Sequence, residues 1–299
     1  MFPRLFPLLL LACGASHAPA PRVPVVPYDL GRPSAVFVLP ADLTEISALT
    51  DVDSATVACV QDEAGVIHFI SMRDGKRTGT APFAGPGDME GLTRVGNDYF
   101  ALRSDGLVYH LRQQTRAEMV RFAVADTFRL AVPVHNIEGL GYDERAGRVL
   151  VSPKDFAKGS KEDRDERVLY AFDPTDPARK VDTVLRLSLA GLLAEARAKG
   201  IAVPERSTPK GRSVPALKLR FSSVAVHPVS GHYYVLSAVD RALLVLDRQG
   251  GLVALETLDA GLLPKPEGIT FLADGDLVLS SEGKGSAPVI VRYQYIAGR

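Results

Sequence analysis

From residue 35 onward the chain is dominated by short runs of apolar and β-branched residues, each closed by a turn signal. Tyr99–Arg103, Leu107–Leu111 and Glu118–Val124 form one set, with Ser104-Asp105-Gly106 turning between the first two. Tyr233–Ser237, Ala242–Asp247 and Leu252–Leu258 form another, with Arg248-Gln249-Gly250-Gly251 as a turn. Runs this short, bounded by glycine turns, predict strands rather than helices. The exception is residues 189–220, where Leu189, Leu192, Leu193 and Ala196 have helical spacing and Gly200 supplies a stop.

The strand sets repeat. Ile46–Thr50, Met89–Thr93, Ile137–Gly141, Ser222–Val226 and Pro266–Thr270 are alike, with equivalent positions at 47, 90, 138, 223 and 267. The spacings are 43, 48, 85 and 44 residues, and a period of about 40–45 is that of a four-stranded propeller blade. The long interval holds no extra blade. Glu138–Tyr142, Arg148–Ser152, Val168–Asp173 and Thr183–Leu187 complete one blade, and 189–220 is an insertion in the link that follows. Residues 267–296 offer only three strands, so Ala35–Leu39 is expected to supply the fourth. The expected fold is all-β: a five-bladed propeller with four-stranded blades, closed by its N-terminal strand, with a helical insertion between blades three and four. Closure leaves no long sheet edge open.

Composition narrows the function classes. Apolar residues make up 46% of the 299, and 35 basic side chains balance 35 acidic ones. That supports one large core and gives no electrostatic reason to expect nucleic acid as a partner. Two cysteines, Cys13 and Cys59, exclude a disulfide scaffold or a cysteine-built zinc site. Residues 1–13, MFPRLFPLLLLAC, carry an apolar run too short to span a bilayer and suited to a signal-peptide core. The run ends like a bacterial lipobox, with Cys13 as the residue to be acylated; the alternative is a conventional signal sequence that contains Cys13. Residues 14–33, rich in Pro, Ala and Val, read as an extended tether to a propeller spanning 34–299. The expected location is extracytoplasmic, on a membrane through the lipid anchor only. Gly14 rather than Asp after the cysteine favours the outer membrane. The protein is expected to be a monomer.

Strand direction gathers the chemistry at one mouth of the channel. Inner strands start there, and both the loop between second and third strands and the link to the next blade return there. Glu90, Glu138 and Glu267 begin three of the five inner strands, each followed by a glycine that permits close backbone approach. Three carboxylates in a narrow channel repel and lose hydration. Two readings follow: a wide, wet mouth, or a bound cation. Ca²⁺ accepts oxygen donors of this kind, and Asp62, Asp88, Asp105, Asn136 and Glu282 are further donors placed there by the repeat, with Lys154 beside them. The loop 153–166 and the insertion 189–220 are expected to overhang the same mouth.

Gly87–Thr93, Asn136–Asp143 and Pro266–Phe271 with Ser281-Glu282-Gly283 resemble the SdiA-regulated family, and Val226-His227-Pro228 with Gly231 is similar to its fourth repeat. The resemblance spans about residues 40–296. It implies a five-bladed propeller related to NHL-type propellers, a calcium site, and no established enzymatic activity. Ser222-Ser223-Val224 departs from the usual Pro-Ser-Gly start. The expected function is a binding module for a protein or small molecule; the alternative is a metal-dependent hydrolase, lactonase-like or phosphoesterase-like, using the same mouth. For that, His135 and Lys154 are the nearby candidate bases, and neither lies in a catalytic motif. The sequence assigns no catalytic residue.

The anchor is tested directly. Mature protein from the membrane fraction should carry a lipidated Cys13 by mass spectrometry, and Cys13→Ala should leave it unlipidated. An unmodified N-terminus beyond residue 13 would contradict the lipobox reading.

Overall fold

The computed structural model describes residues 26–116, 119–154 and 164–298. Cys13, the signal segment and most of the 153–166 loop lie outside the described residues.

Five sheets of four antiparallel strands surround one axis. Blade one comprises Ile46–Asp53, Thr56–Gln61, Ala64–Ser71 and Arg77–Pro86; blade two Met89–Val95, Asp98–Arg103, Leu107–Arg116 and Met119–Arg129. Blade three is Ile137–Asp143, Arg148–Pro153, Glu166–Phe172 and Val181–Ser188; blade four Ser223–Val226, Tyr233–Ser237, Ala242–Leu246 and Leu252–Thr257. Pro266–Phe271, Leu277–Ser281 and Val289–Tyr293 make three strands of blade five. The fourth comes from the other end of the chain: Ala35–Val38 pairs antiparallel with the last strand, Ala35 opposite Arg292 and Val38 opposite Val289. The expected closure is therefore present. Each inner strand touches the inner strands of both neighbouring blades, which completes the ring.

Burial follows from this geometry. A blade hides both faces against its neighbours, so its middle strands need not alternate: Tyr233–Ser237, Ala242–Leu246 and Leu277–Ser281 are buried along their whole length. The described core divides into five hydrophobic clusters, one at each interface between adjacent blades. Cys59 is a free thiol in the cluster between blades five and one, where burial pushes its pKa up to about 12. It is a small buried hydrophobe, as its sequence context implies.

Inner strands approach most closely between blades three and four. A Cβ added at Gly141 would stand 2.3 Å from the Val224 carbonyl oxygen, and one at Gly139 would stand 2.9 Å from Ser223 Cα. Neither is open to a side chain without moving a backbone. Other interfaces use side-chain ties instead. The Ser47 hydroxyl donates to the Met89 carbonyl at 2.5 Å, and that of Ser222 to the Pro266 carbonyl at 3.0 Å.

The inserted link forms the expected helix, Leu189–Ala198, capped by the Ser188 hydroxyl, which accepts from the Gly191 amide at 3.0 Å. Asp165 supports the same end by accepting from the Ala190 amide at 3.0 Å. Gly200, at φ +66°, ends the helix while the Ile201 amide reaches back to Ala196 at 2.8 Å. Beyond it a hairpin of Glu205–Ser207 and Ser213–Pro215, absent from the sequence reading, occupies part of the link.

One expectation is corrected. Residues 14–33 do not all form a tether, because Val26 and Tyr28 are packed into the cluster between blades four and five, with Tyr28 wholly inaccessible to solvent. Its ring lies against His227, Tyr234, Phe271 and Tyr295, and its hydroxyl donates to the Gly275 carbonyl at 2.7 Å. Proline richness masked one aromatic anchor, and a single buried ring is enough to dock an extended segment.

Candidate functional site: the mouth at the start of the inner strands

Backbone irregularity places the glutamates. In blades one, two, three and five the pairing of first and second strands shifts by one residue, and the extra residue is Ser47, Glu90, Glu138 or Glu267. Such a bulge re-aims one side chain without ending the sheet. In blade four the regular pairing begins at Ser223, opposite Leu236, and Ser222 takes the equivalent place, its amide donating to the Leu236 carbonyl at 2.9 Å and its hydroxyl tied to blade five as that of Ser47 is to blade two. The equivalent residue is thus Ser222 rather than Ser223, and it is a serine where blades two, three and five carry glutamate.

The structure brings Glu90, Glu138 and Glu267 together with Glu282, Lys154 and Lys265. Glu138 and Glu267 are almost completely buried, at 2% and 4% exposure. Lys154, just past the second strand of blade three, pairs with Glu138 Oε1. Lys265, just before the inner strand of blade five, lies 3.0 Å from Glu267 Oε1 and 2.6 Å from Glu282 Oε1. Among the described residues these pairs take up the two ammonium groups, and Glu90 has no ion-pair partner.

The electrostatics follow the burial. Loss of hydration, then the charges of Glu138, Asp88 and Glu267, push Glu90 up to about 9, with Lys154 pulling back. Burial also raises Glu138 and Glu267, each against the pull of its own lysine. For Lys154, burial opposes the charged form, but the Glu138 hydrogen bond and the surrounding carboxylates outweigh it and raise the pKa. Asp62 sits at the edge of the cluster, where burial, Glu45 and then Glu282 and Asp88 bring it up to about 7.

The other expected mouth residues divide. Asp88 contributes charge to Glu90 and Asp62. Asn136 adopts a left-handed φ of +60° and its carbonyl accepts the Lys154 amide at 3.0 Å, so its backbone positions the lysine. Asp105 stands apart, bound by Arg103 at 2.7 Å and Arg129 at 3.0 Å, with its pKa held low chiefly by the Arg103 hydrogen bond. The insertion helix does not overhang the mouth as expected. It packs on the outermost strands of blades three and four, with Leu192 and Ala196 in the cluster between those blades.

Sequence reasoning missed Lys265 and two hydroxyls. Lys265 lies two residues before Glu267 in Pro-Lys-Pro-Glu, within reach of the carboxylate it neutralises. Ser152 and Ser280 stand opposite Gly139 and Gly268, and each hydroxyl occupies the space a glycine Cβ would fill, 2.1 and 2.3 Å from its ideal position. The signal was the glycine itself, which makes room for a polar atom as well as for a neighbouring backbone.

The calcium expectation meets this arrangement directly. Two lysines already place positive charge among the carboxylates. Among the described residues no group of three or more His, Cys, Asp or Glu side chains is arranged to hold a metal ion. The lysines supply the positive charge for which a cation was invoked, and no chemistry is derived through Ca²⁺. Four buried oxygens at this mouth nevertheless have no hydrogen-bond partner among the described residues: Glu138 Oε2, Asp62 Oδ1, Ser152 Oγ and Ser280 Oγ.

The network gives stability a pH dependence. Folding raises the Glu90 pKa from 4.5 to about 9, so the folded state binds this proton more tightly than the unfolded chain. Its contribution is most favourable below the ordinary carboxylate range and is lost as pH rises towards about 9. Glu90→Gln, which cannot ionise, should melt higher than wild type near pH ~8 and close to wild type near pH ~5. Equal differences at both values, measured by scanning calorimetry, would contradict the shift.

The comparisons with known proteins agree with the architecture. Myxococcus xanthus glutaminyl cyclase superposes with a TM-score of 0.55 at 13% identity, covering 88% of this chain and 95% of that one. A luciferin-regenerating enzyme gives a TM-score of 0.49 at 11% identity, over 88% and 96%. At 13% identity the glutaminyl cyclase shows the fold alone, and nothing is argued from the second match. No curated protein matches the chain in sequence. The SdiA-regulated family model matches residues 185–284, from the outer strand of blade three into the second turn region of blade five, and over that stretch the family resemblance read from the sequence holds.

Proposed function

We propose that the protein is an extracytoplasmic, lipid-anchored binding module whose glutamate-rich mouth takes the cationic end of a ligand, of the primary ammonium class. The observation that carries this is the surplus of acceptors: Glu90 unpaired among the described residues, and the buried Glu138 Oε2 and Asp62 Oδ1 without partners. The cluster already accepts ammonium groups from its own chain at Lys154 and Lys265. A ligand ammonium offers the same chemistry, with several N–H donors on a compact charge. Binding would favour ionised Glu90 and release its proton, so affinity rises with pH. No described helix is long and apolar enough to cross a membrane, and attachment rests on Cys13 in this reading.

The hydrolase alternative gains no support from the geometry. His135 is exposed on the link before blade three, and Lys154 is held by Glu138.

Isothermal titration with spermidine and, separately, with calcium chloride tests the reading. Spermidine should bind, more tightly at higher pH, and Glu90→Gln should weaken it by about tenfold, the scale of a lost charge-assisted hydrogen bond. Calcium binding at the same residues would assign the mouth to a metal and overturn the amine reading. Binding of neither would leave the network a purely structural one and defeat the proposal.

A further inference from the structure

The glutamates stand at one end of the channel, and a separate cavity lies at the other. Where the inner strands finish, a cavity of about 520 Å³ is walled by strands from all five blades. That volume is in the range of small-molecule sites.

Its polar groups come chiefly from one repeat position and its neighbour, joined by the oppositely charged Glu144 and Arg145. Thr50, Thr93 and Thr270 each stand three residues after the bulged position of their blade. Thr50 accepts the Arg94 amide at 3.2 Å, and Thr270 accepts the Asp51 amide at 3.2 Å. By accepting, each hydroxyl ties its blade to the next, and that of Thr270 also donates to Asp51 Oδ1 at 3.4 Å. Charge in the wall is balanced in sign, Asp51 and Glu144 against Arg94 and Arg145, and Arg145 is spent on the Pro228 and Val229 carbonyls at 3.1 and 2.7 Å. Arg94 Nη2 lies 3.1 Å from Asp51 Oδ2, and the same guanidinium donates to the Asp51 and Gly96 carbonyls at 2.9 and 2.8 Å. Three of its five N–H donors are thus committed and two remain. His227 backs the wall from within the core, its ring packed against Tyr28, Tyr234, Phe271 and Tyr295. It is 1% exposed, and its Nδ1 accepts the Val229 and Ser230 amides at 3.2 and 3.0 Å. The ring proton therefore belongs on Nε2, which has no partner among the described residues. Burial holds this ring neutral, with its pKa down to about 4.

A ligand for such a wall needs donors and acceptors in alternation and no net charge. A carboxylate would meet Asp51, and an ammonium would meet Arg94. Hydroxyl groups satisfy both, because each donates once and accepts twice. We propose that this end of the channel is a second binding site, for an uncharged polyhydroxylated molecule of mono- or disaccharide size, contacted by Thr93, Arg94 and Asp51. It shares no residue with the glutamate mouth, so its test is independent of the amine reading.

Saturation-transfer NMR and calorimetry on the full chain, with glucose, N-acetylglucosamine and maltose as probes and with acetate and spermidine as charged controls, decide the matter. At least one sugar should bind at millimolar concentration. Thr93→Val, which preserves shape, should weaken it by about fivefold, equivalent to one lost hydrogen bond, while leaving the melting temperature unchanged. Sugar binding indifferent to Thr93→Val would overturn the site, as would no sugar binding at all. A Thr93-dependent response to acetate or spermidine alone would overturn the ligand class.

Discussion

The pairing of Ala35–Val38 with Val289–Tyr293 joins the two ends of the chain in one blade, and the channel exists only because that ring is closed. Without it, blade five would present an unpaired edge and the inner strands would lose their common axis. Tyr28 reinforces the closure from outside the sheet. It fills the interface between blades four and five and fastens the N-terminal segment to the turn at Gly275. The first and last strands of the propeller are therefore held by the backbone ladder, and the segment before the first by a buried ring.

Closure has an electrostatic cost. Bulges at the same position of three inner strands bring Glu90, Glu138 and Glu267 to one small mouth. Burying carboxylates there is expensive unless each is paired or protonated. The structure uses both remedies. Lys154 and Lys265 pair the two most buried glutamates, and Glu90 keeps its proton into the alkaline range. A channel of this kind has two unlike ends: one dense with charge, one a cavity lined by matched polar groups.

Much of this was legible in the sequence. The period fixed the number of blades, the short last repeat demanded a returning strand, and the shared register put three glutamates at one mouth. What escaped has physical reasons. Register predicts which end of a strand a residue occupies, but not the bulge that turns Glu90 inward. Lys265 was hidden because pairing across blade five depends on how a side chain folds back, which no spacing records. Tyr28 was hidden by the prolines around it, since composition describes a segment and a single ring can anchor one. The cavity at the far end was invisible because its threonines look like ordinary strand residues until two of them are seen accepting amides from the next blade.

The account rests most heavily on the state of Glu90, and that state is directly measurable. A carbon-13 NMR titration of the side-chain carboxyls, with Glu90→Gln to assign the signal, should show Glu90 losing its proton near pH 9, far above the ordinary 4.5. A Glu90 carboxyl that titrates between about 4 and 5, as in an exposed glutamate, would mean that the mouth is open and hydrated, and would contradict the buried glutamate–lysine network described above.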